Sequence, residues 1–461
     1  MPYIPHTDAD VAEMLAVIGV NTTQDLFDEI PAELKVDSEN MIPEGAPEWR
    51  VAADLRQRAA SDRTLTNFIG AGAYDHHIPA AVWELVTRGE FYTAYTPYQA
   101  EASQGTLQTL YEFQTMIAGL MAMDLSNASL YDGASALAEA VLMAIRANRK
   151  VKSKVVLMPE SLHPVWRQVV HTLVRHQGII LKTVRIDSKY GVVQPSALAE
   201  FDSEEIAALV IPQPNLFGQL EDVDTLTDWA KARGALSIAA VNPMAMALLK
   251  PPGQWGSDGV DIACGEGQPL GIPLSSGGPY FGFLTAKKAL VRQVPGRIVG
   301  RTVDGQGREG FVLTLQAREQ HIRRSRATSN ICTNQGLMTT AATLYMTLLG
   351  PQGLHETAIS CHANAQHLRD AVEVVPGVSI RYTGPFFHEF IITLDGINSQ
   401  DDKAVPNLMQ RMAKKGYAAG LPLSLWYPER RREILLCATE IHDAILIDAF
   451  AETLREELAC L

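Results

Sequence analysis

The feature that most constrains this chain is a regular alternation of short apolar runs with amphipathic helices, which begins at about residue 127. Such alternation is typical of an α/β fold in which helices cover both faces of a mostly parallel sheet. Among the predicted helices between strands are Ser135–Ala147, Pro164–Arg175 and Val223–Arg233. The predicted strands are Ala128–Tyr131, Val155–Met158, Ile179–Thr183, Ala207–Ile211, Leu236–Val241, Val260–Cys264 and Tyr280–Leu284.

Helical segments precede and follow this region. Residues 8 to about 60 read as a helical arm, in which Thr7 and Thr22 are good N-caps. Helices at about 332–349 and 354–375 lead into a final section, where helices near 401–415 and 441–458 alternate with strands. The predicted strands of that section are Val378–Tyr382, Phe390–Leu394 and Ile434–Ala438. We therefore predict an N-terminal arm (1–60), a large domain (61–330) and a small C-terminal α+β domain (331–461).

Composition limits the partners and the compartment. With 39 basic and 52 acidic residues the formal charge is −13, which argues against nucleic acid and anionic membrane as partners. The five cysteines are scattered, odd in number and never spaced as Cys-x-x-Cys, as expected in a reduced cytoplasm. The first residues lack the basic and apolar segments of a secretory signal. We expect a cytoplasmic protein without a structural disulfide framework.

A strand-to-helix junction at residues 132–135 (DGAS) is a candidate phosphate site. Small residues such as Gly133 and Ser135 free backbone N–H groups at the positive end of a helix, which suits a phosphate. The alternative is a tight turn that packs under a neighbouring element. The residues alone leave both possibilities open.

The loop of residues 92–105 (YTAYTPYQAEASQG), named here the tyrosine loop, has an unusual composition. It carries three tyrosines beside amide and hydroxyl side chains, without apolar periodicity. Such a loop offers phenols and amides to a small polar ligand. An aromatic surface turn at an oligomer contact is the alternative, and the sequence favours neither.

Two other patterns favour structural explanations. His76 and His77 lack a second pair of ligand residues at workable spacing, so no metal site is predicted. The basic run Arg430, Arg431 and Arg432 is short and isolated on an acidic chain, which favours a solvated face.

Four motifs, taken in chain order, resemble one known family. They are residues 95–105 (YTPYQAEASQG), 127–133 (NASLYDG), 325–333 (SRATSNICT) and 384–390 (GPFFHEF). The chain resembles the N-terminal half of the P-protein of the glycine cleavage system, nearly from end to end. In many prokaryotes that family is split into two subunits, and this chain resembles the first.

The resemblance implies the pyridoxal-phosphate-dependent type I (aminotransferase-like) fold. An enzyme of this kind needs a lysine for the Schiff base and an acid opposite the pyridine nitrogen. Here Asn242 stands at the acid position and Gln268 at the lysine position, and neither side chain can do that chemistry. We expect a degenerate cofactor site, which also includes Gly133, Ser135 and His163, and no pyridoxal phosphate bound by this chain.

The resemblance also implies a function in a complex. A lysine-bearing partner subunit would bind pyridoxal phosphate and glycine, release carbon dioxide and pass the aminomethyl group to the lipoyl arm of H-protein. This chain would be inactive alone. Tyr95, Tyr98, Gln99 and His77 are the residues that we predict it contributes to the partner's active site.

Two alternatives belong to other classes. A purely structural partner would stabilise the catalytic subunit and dock H-protein without touching substrate. An independent pyridoxal-phosphate enzyme would need a displaced lysine, and the combined loss at Asn242 and Gln268 argues against it. Neither Lys250 nor Lys287 stands at the expected position, since the first precedes the relevant strand and the second follows the next strand.

Overall fold

The computed structural model describes residues 5–36, 43, 45–275, 277–398 and 401–460. The chain divides into two compact units, Met1–Thr64 and Leu65–Leu461. No described helix is long and apolar enough to cross a bilayer.

The first unit is helical. Helix α1 (Asp8–Ile18) begins at Thr7, and a short 3₁₀ helix (Thr23–Phe27) begins at Thr22, each with a reciprocal capping box. Both predicted N-caps are therefore confirmed. Helix α2 (Glu48–Ser61) ends the unit, and no described residue of α1 or α2 is buried.

A seven-stranded sheet is the centre of the second unit. After β1 (Thr66–Asn67), which pairs elsewhere, its strands are β2 (Leu125–Ser126), β3 (Val155–Pro159), β4 (Ile180–Val184), β5 (Ala208–Gln213), β6 (Leu236–Val241), β7 (Ile262–Glu266) and β8 (Gly282–Ala286). Their spatial order is β2-β8-β7-β6-β5-β3-β4. Strands β3 to β7 run parallel to one another, and β8 is antiparallel to both of its neighbours. The predicted α/β class with a mostly parallel sheet is confirmed.

Both faces of this sheet are buried because successive side chains of a strand point to opposite sides. In β5, Leu209 and Ile211 join the apolar cluster on one face, and Ala208 and Val210 join the cluster on the other. Two-sided burial explains why these strands read as continuous apolar runs rather than alternating ones.

Helices cover both faces, with α6 (Gly133–Ala147) on one and α9 (Val223–Ala232) on the other. The other helices of the second unit are α3 (Ala80–Val86), α4 (Gly89–Tyr92), α5 (Gln104–Leu120), α7 (Pro164–Val174), α8 (Pro195–Leu198), α10 (Gln320–Arg323), α11 (Gly336–Glu373), α12 (Ala404–Lys414) and α13 (Ala444–Leu458). The backbone of α11 leaves the helical conformation at Gly350, where φ is 64°, and Pro351 follows. The two helices predicted for this region therefore meet at Gly350.

The chain ends in a second sheet. A hairpin of β9 (Ile298–Val303) and β10 (Glu309–Thr314) precedes it. The sheet itself is antiparallel, with the order β11 (Val378–Ile380), β12 (Glu389–Leu394), β15 (Glu433–Cys437) and β14 (Leu421–Pro422). Strand β13 (Tyr417–Ala418) pairs in parallel with β1. The division into large and small domains at residue 330 stays a prediction.

Two sequence-based expectations were wrong in detail, and one element was missed. The strand predicted at Ala128–Tyr131 is reduced to one bridge, from Leu130 to Gly282, because Ser129 adopts φ 87° and interrupts the extended backbone. The hairpin β9–β10 was missed because most of its side chains are only partly buried or exposed, so it lacks an apolar run. Arg430 is not on a solvated face: its guanidinium lies 4.5 Å from the ring centre of Phe217.

Candidate functional site

The predicted acid position lies at the carboxyl end of β6, where parallel-sheet enzymes usually place their ligands. Asn242 follows β6 directly and is half-buried. Its Oδ1 accepts the backbone N–H of Met244 at 2.8 Å, so the side chain caps the next turn. Its Nδ2 lies 3.4 Å from Nε2 of the buried His388. The Asn242 amide oxygen therefore stabilises the following turn, and its amide nitrogen faces His388.

The predicted lysine position is occupied by a fully engaged amide. Gln268 is 1% exposed. Its Nε2 donates to the carbonyls of Tyr74 and Ile272, both at 2.8 Å, and its Oε1 accepts the N–H of Tyr74 at 2.8 Å. These three bonds tie two irregular segments together and satisfy backbone groups that would otherwise be buried without partners.

At the candidate phosphate site, carboxyl groups of the chain itself accept backbone N–H groups at the start of α6. Asp132 Oδ1 accepts the N–H of Ser135 at 2.7 Å. Glu266, at the end of β7, accepts the N–H of Gly133 at 2.9 Å with Oε2 and that of Gln268 at 3.1 Å with Oε1. Burial raises the pKa of Glu266 to about 8. The Glu266 carboxyl group thus stands where the helix would otherwise offer a donor to a phosphate.

Trp166 closes the same junction. A Cβ atom at Gly133 would lie 2.5 Å from Cζ2 of Trp166, so the glycine is required for this close approach. The tight turn packed under a neighbour, one of the two possibilities that the sequence left open, is the arrangement present.

His163 has a capping role in this arrangement. Its Nδ1 accepts the N–H of Val165 at the start of α7, at 3.2 Å. That bond makes Nε2 the protonated nitrogen, which donates to the Ala71 carbonyl at 2.9 Å. Burial lowers the pKa of His163, so the ring is held in its neutral form.

A cavity of about 70 Å³ remains at this position, whereas ligand pockets usually enclose about 300–1,000 Å³. Its described lining contains no lysine; it includes Ala71, His163, Trp166, Asn242, Glu266 and Glu389. Lys250 pairs instead with Asp224, and Lys287 with Asp258 and Asp261.

Glu389 is a second buried carboxyl group on this lining. It accepts the N–H of Ala71 at 2.6 Å and the hydroxyl of Tyr74 at 2.8 Å. Burial raises its pKa to about 7. Two carboxyl groups of raised pKa therefore face a cavity of which Asn242 also forms part.

The tyrosine loop is built differently, with a fixed base and exposed tyrosine side chains. Gln104 fixes the base: its Nε2 donates to the Ala100 and Phe311 carbonyls at 2.7 and 2.8 Å, and its Oε1 accepts the Phe311 N–H at 2.8 Å. Tyr95 is 86% exposed and Tyr98 is 61% exposed. Large exposed aromatic side chains on an anchored loop indicate a binding surface.

The other predicted contributors are also placed. Gln99 is exposed and begins the short 3₁₀ helix Ala100–Ala102. His77 is exposed, and its backbone N–H donates to Glu440 Oε1 at 2.7 Å. Among the described residues, His77 shares no hydrogen bond or ring contact with Tyr95 or Tyr98.

The neighbouring His76 belongs to a buried hydrogen-bonded cluster. Its Nδ1 lies 2.7 Å from Glu440 Oε2, to which the Cys361 thiol also donates at 3.2 Å. These are metal-ligand residue types within 4.8 Å of one another. Each of them is already bonded to another member of the cluster, which gives the arrangement a structural explanation.

Sequence reasoning missed Glu266, Trp166 and Glu389 as residues of the cofactor position. Glu266 had one signal, because an acid that ends a parallel strand lies near the N-terminus of a helix that packs on the sheet. Trp166 had none, since only the packing of α7 on α6 brings it over Gly133.

The fold defines the class first. Glutamate decarboxylase of Lactobacillus brevis aligns with a TM-score of 0.67 at 14% identity, over 95% of this chain and 97% of that one. At such low identity the likeness shows the fold alone, and that fold is the pyridoxal-phosphate-dependent type I fold. The predicted fold class is thereby confirmed.

Closer relatives give the family. The sequence model of the family "Glycine cleavage system P-protein" matches residues 1–453, and the chain belongs to that family. A probable glycine dehydrogenase (decarboxylating) subunit 1 of Nitrosomonas europaea is 57% identical over 461 residues, covering 100% of this chain and 99% of the relative. A crystal structure of an inhibitor-bound glycine decarboxylase (P-protein) aligns with a TM-score of 0.85 at 40% identity, over 99% of this chain and 100% of that one. The resemblance stated from the motifs is confirmed.

Proposed function

We propose that this chain is the lysine-lacking subunit of a two-subunit glycine decarboxylase and that it acts only together with a lysine-bearing partner. The relative of Nitrosomonas europaea is named as subunit 1 of a glycine dehydrogenase (decarboxylating), and this chain matches its whole length. In the complex, glycine loses carbon dioxide, and the remaining aminomethyl group is transferred to the lipoyl arm of H-protein.

The observation that carries the proposal is the state of the cofactor position. Pyridoxal phosphate does not fit the residues there: Gln268 replaces the lysine and is engaged in three hydrogen bonds, and Glu266 takes the Gly133 donor at the start of α6. Once the Glu266 carboxyl group is ionised, its negative charge would also repel a phosphate bound beside it. This chain therefore holds no cofactor, and pyridoxal phosphate belongs to the partner subunit.

The contribution of this chain is the tyrosine loop. Enzymes of this fold form their active sites between subunits, and Tyr95 and Tyr98 are exposed side chains, with room for a partner, on a loop whose base Gln104 fixes. A phenol O–H donates to a carboxylate, so these side chains suit the carboxylate of glycine. Gln99 offers an amide beside them. His77, which does not contact the loop, is proposed only as a residue of the surrounding surface.

The test compares three preparations in glycine–bicarbonate carbon exchange with lipoylated H-protein: this chain alone, the partner alone, and both mixed. We expect exchange from the mixture, none from this chain and only a trace from the partner. In parallel, this chain incubated with pyridoxal phosphate should give no Schiff-base absorbance. Full exchange by either subunit alone, or a borohydride-stable pyridoxyl group on one lysine of this chain, would falsify the proposal.

A further inference from the structure

A buried arginine lies directly beneath the tyrosine loop. Arg297, just before β9, is 2% exposed. Its Nη1 donates to Asn334 Oδ1 at 3.1 Å, and its Nη2 lies 3.5 Å from the Tyr98 hydroxyl. Its Nε is buried and has no hydrogen-bond partner. The guanidinium group is thus only partly satisfied by the residues around it.

No carboxylate pairs with this cation within the described part of the chain. The nearby acid is Glu319, whose pKa is raised because the effect of burial outweighs the charges of His321, Arg297 and Arg318. Glu319 nevertheless makes no ion pair with Arg297, and its own Oε1 is buried without a hydrogen-bond partner. Arg297 is therefore a buried positive charge without the direct counter-charge that such a group requires.

Its neighbours hold it in place without using its charge. The guanidinium group of Arg318 donates to the carbonyls of Val294 and Gly296, the turn that leads into Arg297. Asn334 donates to the Ala128 carbonyl at 2.8 Å while it accepts from Arg297. The guanidinium group of Arg297 is consequently held in one orientation, which favours ligand binding.

Tyr98 covers this cation from the solvent side. Its ring centre lies 5.4 Å from the guanidinium carbon, and the ring is 61% exposed. A hydroxyl at 3.5 Å is too distant for a strong hydrogen bond, so a carboxylate oxygen that binds guanidinium N–H groups closely would replace it with little loss. The phenol then remains beside the same ligand.

We propose that Arg297 and Tyr98 form a carboxylate-binding site and that its ligand in the complex is the carboxylate of glycine. The planar fork of a guanidinium group matches a carboxylate in geometry and in charge, and a buried fork discriminates against amines that lack the carboxylate. This inference rests on the proposed function, because the site is completed in the partner's active site.

The test uses the reconstituted complex and two ligands. Glycine and methylamine, which lacks the carboxylate, are titrated while the absorbance of the partner's pyridoxal phosphate is followed. For Arg297→Gln we expect glycine to bind roughly ten- to a hundredfold more weakly, with methylamine unchanged. Arg297→Lys keeps the charge but not the planar fork, so we expect its affinity for glycine to fall about tenfold. This variant also provides a folded protein for the test if Arg297→Gln aggregates.

Arg301→Gln is the matched control. Arg301 lies in β9, four residues after Arg297, its side chain is 61% exposed, and it pairs with Glu309 at 2.9 Å, so the variant removes an equal charge nearby in the chain. We expect unchanged binding of both ligands. Equal losses for glycine and methylamine, no loss for either in both Arg297 variants, or weaker subunit association that accounts for the loss would overturn the inference. A wild-type complex without glycine exchange would instead refute the proposed function itself.

Discussion

The cofactor position and the tyrosine loop both contain polar side chains, but these differ in burial and in hydrogen bonding. At the cofactor position, the amide of Gln268 is buried and makes three hydrogen bonds to backbone groups of its own chain. In the loop, Tyr95 and Tyr98 are 86% and 61% exposed. The base of the loop is as well bonded as the cofactor position, through Gln104. Only its outer side chains are left without strong partners.

This difference is the one that the proposed function requires, with a structural role for the cofactor position and a ligand-binding role for the tyrosine loop. A buried polar group that is fully satisfied stabilises the fold and has no capacity for another molecule. An anchored but unsatisfied group gains a partner only when something binds. The variants that follow test whether the two regions differ in this way.

The largest expected effect concerns stability at the cofactor position. Gln268→Ala removes three hydrogen bonds and leaves buried backbone groups of Tyr74 and Ile272 unpaired. We expect the free energy of unfolding to fall by at least about 3 kcal/mol, because three buried backbone groups lose their partner and each costs about 1–3 kcal/mol. Urea unfolding followed by circular dichroism measures the change.

The control is Gln108→Ala. Gln108 is an exposed glutamine of α5 whose amide donates to Glu112 at 2.9 Å. Its loss should change stability by less than about 0.5 kcal/mol. If the two alanine variants were equally stable, Gln268 would not be the structural residue that its contacts indicate.

The second effect is a pH dependence caused by Glu266. Burial raises its pKa to about 8 from the ordinary value of 4.5, so between these pH values the folded state holds a proton that the unfolded state has released. Stability from this group is present at low pH and declines by about 1.4 kcal/mol per pH unit as pH rises towards 8. Glu266→Gln should remove that dependence, so the stability of the variant relative to the wild type rises as pH increases.

Urea unfolding of both proteins at roughly pH 5, 6.5 and 8 measures the difference, in which contributions from other groups cancel. Glu84→Gln, at an exposed position, is the matched control for loss of one carboxylate. A constant difference between Glu266→Gln and wild type across this range would show that Glu266 does not titrate there.

The smallest effect is in the loop and leaves the fold intact. Tyr95→Phe and Tyr98→Phe each remove a hydroxyl and keep the ring. A hydrogen bond to a charged carboxylate is worth about 1.5–3 kcal/mol, so we expect kcat/KM for glycine to fall by roughly ten- to a hundredfold. Subunit association should be unchanged, and both quantities are measured on the same reconstituted complexes.

Tyr190→Phe is the control, since Tyr190 is 41% exposed and lies outside the loop. Normal glycine kinetics in both loop variants would favour the purely structural alternative, in which this chain only stabilises its partner. Weaker association that explains all of the lost activity would point to the same conclusion.

The sequence predicted the layered fold well because its signals there are local. The bounds of β6 were predicted to the residue, since an apolar run lies between Gly234 and Asn242. Strands β3 to β8 followed from repeats of this pattern, whereas β2 at Leu125–Ser126 was not predicted. The hairpin β9–β10 escaped because its strands lie at the surface, where mixed polarity gives no clear period.

At the candidate sites, the sequence identified what is missing but not what replaces it. Family resemblance placed Asn242 and Gln268 at the acid and lysine positions. The role of Glu266 depends on the approach of β7 to the start of α6, which no local pattern encodes. Arg297 follows a proline and a glycine and reads as a surface turn. Its contacts come from distant parts of the chain, Asn334 just before α11 and Tyr98 of the tyrosine loop.

The short pairing of β1 with β13 bears on how the chain is made. Thr66 and Asn67 align with Tyr417 and Ala418, so these partners emerge from the ribosome 351 residues apart (417 − 66). At about 5–20 residues per second, the earlier segment waits roughly 20 to 70 s for its mate. Phe68, which ends fully buried against Phe450, stays unprotected over that interval. The apolar core against the C-terminal sheet thus includes one of the first-made residues of its unit, and a fragment of residues 331–461 would lack part of that core.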